Sequence, residues 1–468
     1  MVDTEAHLGS EVNCVTGIIG AGPSGLALNL FLKQPSEILE GTSQVGGHAS
    51  SFTKDGFTYD LGPHILFSRD KAILNFIVAT LGENVQQCVR KNKISFAGKL
   101  IKYPFENDLA NLPMQARFEC LYGFVNNPYK AQYAKPQNLR EWLLSTFGEG
   151  ICKHYLFPYN EKVWNVPVED LSMLWAERIP NPPMEDVVKS ALGWETEGYL
   201  HQLYYHYPKT GGYQAISEGW AGQANVKFGE TVHRIHSRGK GFEVETDKGR
   251  HSYDQIVTSM AIQHLVEIVD FPIPDDIRKA VKDLIVNPMY VVSLGIRGED
   301  KEKYTAIYFP EDDYLVNRVS FPCTFSDGNG PKGHYSIQAE ITCKASSEEW
   351  GWSDERILEH VIDGLVKKNV LASRDLIVST DVRRKDRSYV VYDKHYQGNV
   401  DKIRPFFGSK GVHLLGRFSH FEYINIDQVV QRALEMAAKL NGEDIATCKQ
   451  TYLDAALARL GKTAFAVR

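Results

Sequence analysis

Residues 159–178 read YNEKVWNVPVEDLSMLWAER, which gathers Tyr159, Asn160, Trp164, Trp175 and Arg178 within twenty positions. Such a stretch suits either a helix with aromatic packing and solvated charges, or a pocket wall whose arginine meets an anion. A second chemical signature lies near the amino terminus. Gly20, Gly22 and Gly25 form GxGxxG in VTGIIGAGPSGLALNLFL. There the first glycine permits a tight turn, the second lets backbone approach a pyrophosphate, and the third lets helix and strand pack closely.

These glycines need a strand before them and a helix after them, and the sequence supplies both. The apolar run VTGII precedes the turn, and a helix follows whose free N–H groups and dipole favour phosphate. A second strand, SEILE, ends in Glu40, whose carboxylate accepts from both hydroxyls of an adenosine ribose. Gly46 and Gly47 follow, allowing a second close approach of backbone to a dinucleotide. Strand, turn, helix, strand, acid and Gly-Gly together favour FAD over NAD. The pattern predicts an α/β chain with a Rossmann-like domain.

The chain has 468 residues, 43% hydrophobic, with a formal net charge of −6. This is enough for two or three structural units. Mild acidity provides no long-range attraction to nucleic acid or anionic lipid, so any phosphate must be gripped locally. The start, MVDTEAHLGSEVNC, lacks the basic-then-apolar order of a signal peptide. Apolar runs such as ILNFIVATL are too short to span a bilayer. Cysteines at 14, 88, 120, 152, 323, 343 and 448 contain no CxxC pair. They suit neither a disulfide framework nor zinc, and point to a reducing, cytoplasmic setting. No metal site is expected; His201 and His206 in HQLYYHY share no helical face.

Beyond the fingerprint, GGHA and GFTYDLGPHILFS (56–68) resemble the flavoenzyme superfamily that includes amine oxidases and protoporphyrinogen oxidase. Within it the chain is similar to the UDP-galactopyranose mutase family, along almost its whole length. Gly62-Pro63-His64 resembles the mutase histidine loop, which lies against the flavin. IKYPFEND (101–108) resembles the segment holding the nucleotide base, with Tyr103 at the matching tyrosine. The stretch ending at 178 resembles one that ends in an active-site arginine. VTSMAI (257–262) resembles the return strand of the FAD domain. YFPEDDYLVNR (308–318) resembles a segment carrying a phosphate-binding tyrosine and a second arginine, ten residues apart. GRFSHFEYINID (416–427) resembles the carboxy-terminal flavin and substrate segment. One position departs: Glu106 stands where the longer mutases have a glutamine on uracil. A carboxylate cannot donate to uracil O4 and suits a donor-rich base edge such as guanine.

The resemblance implies FAD contacts from Gly20, Gly22, Gly25, Glu40, Gly46, Gly47, His64, Gly416 and Arg417. It implies substrate contacts from Tyr103, Glu106, Asn160, Trp164, Arg178, Tyr308, Arg318, Tyr389, Tyr423 and Asn425. Catalytic roles fall on Arg178, Arg318 and His64, the last by flavin contact and not by proton transfer. Two arginines converging from segments 140 residues apart would give the local positive charge that the chain as a whole lacks. Trp175, eleven residues after Trp164, is read as core on the same helical face. From about Asn425 an amphipathic helix with Val429, Val430, Leu434, Ala437 and Ala438 inward is expected.

The implied architecture is a discontinuous FAD domain (1–95, 208–285 and 380–445) with a helical substrate domain (96–207). An antiparallel sheet (286–379) floors the site, and a helical tail spans 446–468. The implied reaction interconverts pyranose and furanose forms of a nucleotide sugar without net redox change. Reduced flavin N5 attacks the anomeric carbon as the nucleoside diphosphate leaves, the sugar ring opens and recloses, and the diphosphate returns. NAD(P)H is the expected reductant, the expected partner is the nucleotide sugar, and assembly into a homo-oligomer is compatible with this reading. The competing readings are an FAD-dependent oxidase or desaturase of the same fold, and a non-catalytic FAD-bound scaffold.

Overall fold

Short apolar runs far apart in the chain assemble one parallel sheet. Its strand order is 412–414, 255–258, 16–19, 36–40 and 226–228, every pair parallel, in a computed structural model that describes residues 16–196 and 203–463. Thr16–Ile19 occupies the centre, buried at all four positions, with Ile18 opposite both Val257 and Ile38. Burial on both faces explains why TGII reads as a continuous run and not as an alternating one, and why Ile38 and Leu39 are adjacent apolar residues. Helix Pro23–Phe31 follows the glycine turn and packs with Ile426–Asn441, so that Leu26 and Leu30 share a core with Ala433 and Ala437. Val429, Val430, Leu434, Ala437 and Ala438 are all buried, as the amphipathic pattern predicts.

A second sheet has seven strands in the order 377–390, 286–297, 334–342, 318–320, 306–308, 92–96 and 99–102. All its pairings are antiparallel except 306–308 with 92–96. It reaches further along the chain than residues 286–379, drawing in strands from before Tyr103 and up to Val390. Its two faces follow from the period of two. Tyr290, Val292, Leu294, Ile337, Ala339 and Ile341 pack under helix Asp354–Lys367 through Ile357, Val361 and Leu365. Glu340, between Ala339 and Ile341, is thereby turned to the opposite side.

Helices Met114–Val125, Leu139–Ile151, Phe157–Trp164 and Met184–Ala191 build the wall facing that side. No described helix is long and apolar enough to cross a membrane. The six described cysteines are all free. Cys14, His201, the start of the chain and the last residues of the expected tail lie outside the described residues; within that tail, Ile445–Arg459 is helical.

Candidate active site

A cavity of about 770 Å³ runs from the glycine turn to the seven-stranded sheet. At one end the three glycines do three different things. Gly20 has φ +103°, and a side chain there would strike Ser259. A Cβ on Gly25 would collide with the Gly20 carbonyl, so this glycine sets how closely helix meets strand. A Cβ on Gly22 would meet nothing within 4 Å: that position faces open cavity, and the helix beginning there has no side-chain cap. Unpaired N–H groups therefore point toward the space. Glu40 lines the same end and accepts hydrogen bonds from Ala21 N (2.8 Å), Thr42 N (2.9 Å) and Thr42 Oγ1 (2.8 Å). Gly47 lines the cavity and packs on Gly22, whose Cα lies 3.4 Å from where a Gly47 Cβ would be. Gly46 lies behind, its N–H bonded to Ala21 O at 2.9 Å.

The histidine loop lines the middle. His64 stacks on Tyr213 with ring centroids 5.2 Å apart, and its Nδ1 is buried without a partner. Burial, with Arg417 and Arg318 nearby, pulls the imidazole down to about 3, so the ring is neutral at physiological pH. Asp60 anchors the loop from below, accepting from Ser51 Oγ (2.7 Å), Tyr207 OH (2.9 Å) and Tyr213 N (2.9 Å). Gly416 lines the wall at φ +95°, where a Cβ would press Ser24. Arg417 donates to Ile424 O at 2.6 Å.

The far end is aromatic and basic. Tyr103, Asn160, Trp164, Arg178, Tyr308, Arg318, Tyr389, Tyr423 and Asn425 all line it. Asn160 orients Trp164, its Oδ1 accepting from Trp164 Nε1 at 3.1 Å. Tyr389 and Tyr423 stack with centroids 5.8 Å apart, and the Tyr423 ring lies 4.8 Å from both the Arg178 and Arg417 guanidinium carbons. Arg178 donates to Tyr423 O and, at 3.2 Å, to Gln428 Oε1. Arg318 pairs with Glu340, which is 1% exposed against 25% for the arginine. Burial works against charge on Arg318, but Glu340 overrides it and holds its pKa well above the ordinary value. Tyr308 OH accepts from Asn92 Nδ2 at 3.1 Å.

Two expectations are corrected. Glu106 is buried, 4% exposed, in the short helix Phe105–Asn107 and is absent from the cavity wall. Its neighbour Tyr103, three residues earlier, takes the wall position instead. Trp175 is buried but also lines the cavity, stacked on Trp164 at 3.9 Å. The two meet through chain reversal and not on one helical face, because the helix stops at Trp164 and Asn165 takes φ +55°. Arg318 opens the strand Arg318–Ser320.

The family model described as flavin containing amine oxidoreductase matches residues 34–441. The chain belongs to the flavin-containing amine oxidoreductase family. Membership in this family implies FAD, and the residues fit that cofactor: open space at Gly22, an uncapped helix start, the Glu40 carboxylate, and the unpartnered polar atoms His64 Nδ1 and Ser388 Oγ in the wall. Among solved structures, this amine oxidoreductase family member resembles reduced UDP-galactopyranose mutase, with 24% identity, 97% of this chain and 98% of that one covered, and a TM-score of 0.85. It also resembles a protein from Exiguobacterium sp. 255-15 described as a protoporphyrinogen oxidase, at 16% identity, covering 93% of this chain and 100% of that one, TM-score 0.73. At these identities the likeness is one of fold. Curated relatives match locally. A 4,4'-diapophytoene desaturase of Staphylococcus haemolyticus (strain JCSC1435) is 45% identical over 56 residues, 11% of each chain. A second such desaturase, from Methylomonas sp, is 26% identical over 152 residues, 31% of this chain and 24% of the relative. The matches thus span less than a quarter of those relatives.

Sequence reasoning about this flavin-family chain missed Glu340, Arg90 and His48. Arg90 lines the cavity with Nε and Nη2 buried and unpartnered, its guanidinium 4.6 Å from the Phe67 ring centroid. His48 lines the glycine end against Phe418, with centroids 4.5 Å apart. None carries a local signature. GGHA was read for its glycines, and an isolated Glu in a strand, or an isolated Arg just after the strand Gln86–Val89, looks like any other.

Proposed function

We propose that this protein is an FAD-dependent mutase that interconverts pyranose and furanose forms of a nucleoside diphosphate hexose, UDP-galactopyranose or a close analogue. The observation that carries this reading is the far end of the cavity, which Arg178, Arg318, Tyr308, Tyr389 and Tyr423 all line. Guanidinium forks and phenol O–H donors match the oxygens of a diphosphate. The full-length likeness to a solved mutase supports the same reading.

The glycine end holds the cofactor: helix N–H groups at Gly22 take the pyrophosphate and Glu40 the ribose. Bound and reduced, the flavin supplies a nucleophilic nitrogen and needs no net oxidant, with NAD(P)H as reductant. His64, neutral and stacked on Tyr213, packs against the ring and moves no proton. Arg178 and Arg318 hold the diphosphate and stabilise the charge that develops as it leaves. Trp164 and Trp175 exclude water beside the sugar, and Asn160 fixes the tryptophan pair. Base recognition is assigned to the wall around Tyr103 and not to Glu106.

The local matches to diapophytoene desaturases favour a second reading, an oxidase or desaturase. A polyene substrate calls for a long apolar channel, whereas four cavity-lining arginines and a buried carboxylate suit a charged ligand. The discriminating experiment is calorimetric titration of UDP, GDP and a C30 polyene into the FAD-loaded protein. The mutase reading expects saturable nucleoside diphosphate binding that is lost in Arg178→Ala; binding of the polyene alone overturns it.

A further inference from the structure

We propose that Lys162 is a positioning residue that fastens the two walls of the cavity, helix Phe157–Trp164 and the arch 309–317, so that Asn160 and Trp164 face Tyr308 and Arg318 at a fixed separation. The proposal rests on the diphosphate reading above.

The arch springs from adjacent strand ends. Tyr308 and Arg318 are paired across the sheet, and Phe309 N donates to Asn317 O at 3.1 Å to close the base. Its outer turn carries three acids, Glu311, Asp312 and Asp313. Lys162 reaches into the arch from the facing helix, and its Nζ donates to the carbonyls of Phe309 and Glu311, both at 2.8 Å. The residue is tied through its backbone as well. Thr342 Oγ1 donates to Lys162 O at 3.1 Å, and Thr342 N donates to Asn317 Oδ1 at 3.1 Å, returning to the arch. Two residues on, Asn287 Nδ2 donates to Trp164 O at 2.6 Å. Asn317, Thr342 and Asn287 are all buried polar side chains. Such groups are retained where they fix geometry, because each is costly when unmatched. Lys162 lines no part of the cavity, so its contribution passes through Tyr308, Arg318, Asn160 and Trp164.

Electrostatics makes the fastener responsive to pH. Burial pulls the Lys162 ammonium down to about 8. Glu311, Asp312 and Asp313 hold it up, and Lys368, from the end of helix Asp354–Lys367, adds to the fall. Lys368 itself lies 3.5 Å from Glu311 and 3.0 Å from Asp313, and His360 on that helix feels the same Lys162 charge. Above about pH 8 the amine keeps two N–H groups but loses charge assistance, which makes roughly half of such a bond's strength. The fastener then loosens.

The test is calorimetric binding of UDP to the FAD-loaded wild type, Lys162→Met, Lys162→Arg, Tyr308→Phe, Arg318→Ala and the double variant Lys162→Met/Tyr308→Phe. Lys162→Met, which keeps the aliphatic stem, is expected to bind roughly fivefold to fiftyfold more weakly. Lys162→Arg is expected to restore most of the affinity. The double variant should lose less than the two single losses combined, a coupling that general loosening of the fold does not produce. Wild-type affinity should fall between pH 7 and 9 while that of Lys162→Arg stays flat. If Lys162→Met does not accumulate folded, this pH comparison of wild type with Lys162→Arg decides. Wild-type affinity for Lys162→Met with weakened Arg318→Ala overturns the fastener alone, as do additive losses or matching pH profiles. Unchanged affinity in both Lys162→Met and Arg318→Ala removes the diphosphate reading and the fastener with it.

Discussion

Tyr308 and Arg318 are direct cross-strand partners, and on the next strand Arg318 is opposite Glu340. Side chains paired in this way share one face of the sheet, so a tyrosine, an arginine and a carboxylate stand in a row along the cavity floor. The ten-residue spacing between Tyr308 and Arg318 is the length of an arch that brings its two ends together. The row predicts that Arg318 and Glu340 act as a unit. Arg318→Ala leaves Glu340 buried and unpaired, costing up to about 3 kcal/mol of stability beyond its effect on binding. Arg318→Ala/Glu340→Gln should recover most of that stability in denaturant melts and none of the UDP affinity. Equal stability of the two variants contradicts the pairing.

The glycine turn separates cofactor contact from folding. Gly25→Ala forces a Cβ onto the Gly20 carbonyl and should lower melting temperature and FAD content together. Gly22→Ala meets no protein atom. Its apoprotein should lose about 1 kcal/mol or less while FAD content falls sharply. Absorbance of released FAD and thermal melts of the apoprotein read the two effects separately. A fully loaded Gly22→Ala would place the pyrophosphate elsewhere.

His64 sets a pH dependence of stability. Its folded pKa lies near 3, below the ordinary 6.5, with burial the main cause. Between those values the unfolded chain binds a proton that the native state does not, so stability falls as pH drops from about 6.5 toward 3. His64→Gln should lose stability over that window with a slope one proton shallower than wild type, measured by melts at pH 7, 5.5 and 4. An unchanged slope means the imidazole accepts its proton in the folded state.

Glu106→Gln tests the corrected base contact. Because Glu106 is buried off the cavity wall, the ratio of UDP to GDP affinity should stay as in wild type, while Tyr103→Ala weakens both. Calorimetry with the two nucleotides decides; a shifted ratio in Glu106→Gln returns base recognition to that carboxylate.

Much of this site was legible because its signals are local. Gly20, Gly22 and Gly25 between a strand and a helix define their own geometry, and the run from Ile426 announces its buried face by period. Tyr308 and Arg318 were found as members of a segment. Glu340 was not, since its facing depends on register across three strands and nothing near it in sequence fixes that. Trp175 is in the core as read, but its shared helical face with Trp164 failed for a related reason. Its distance from Trp164 fits three helical turns, but the chain leaves the helix at Asn165 and doubles back, so tertiary packing and not period brings the rings together. Glu106 failed in the opposite sense: a matching segment placed it at the cavity, but the short helix Phe105–Asn107 buries its carboxylate away from the wall.

The most direct test of the central claim is turnover itself. FAD-loaded protein reduced with dithionite and held without oxygen is incubated with UDP-galactopyranose, and the nucleotide sugars are separated by chromatography. The account predicts a new UDP-hexofuranose peak that grows over many turnovers with no stoichiometric consumption of reductant, and no product from the oxidised enzyme. A nucleotide sugar that stays unchanged, with hydrogen peroxide released by the oxidised enzyme from an amine or polyene, would contradict it.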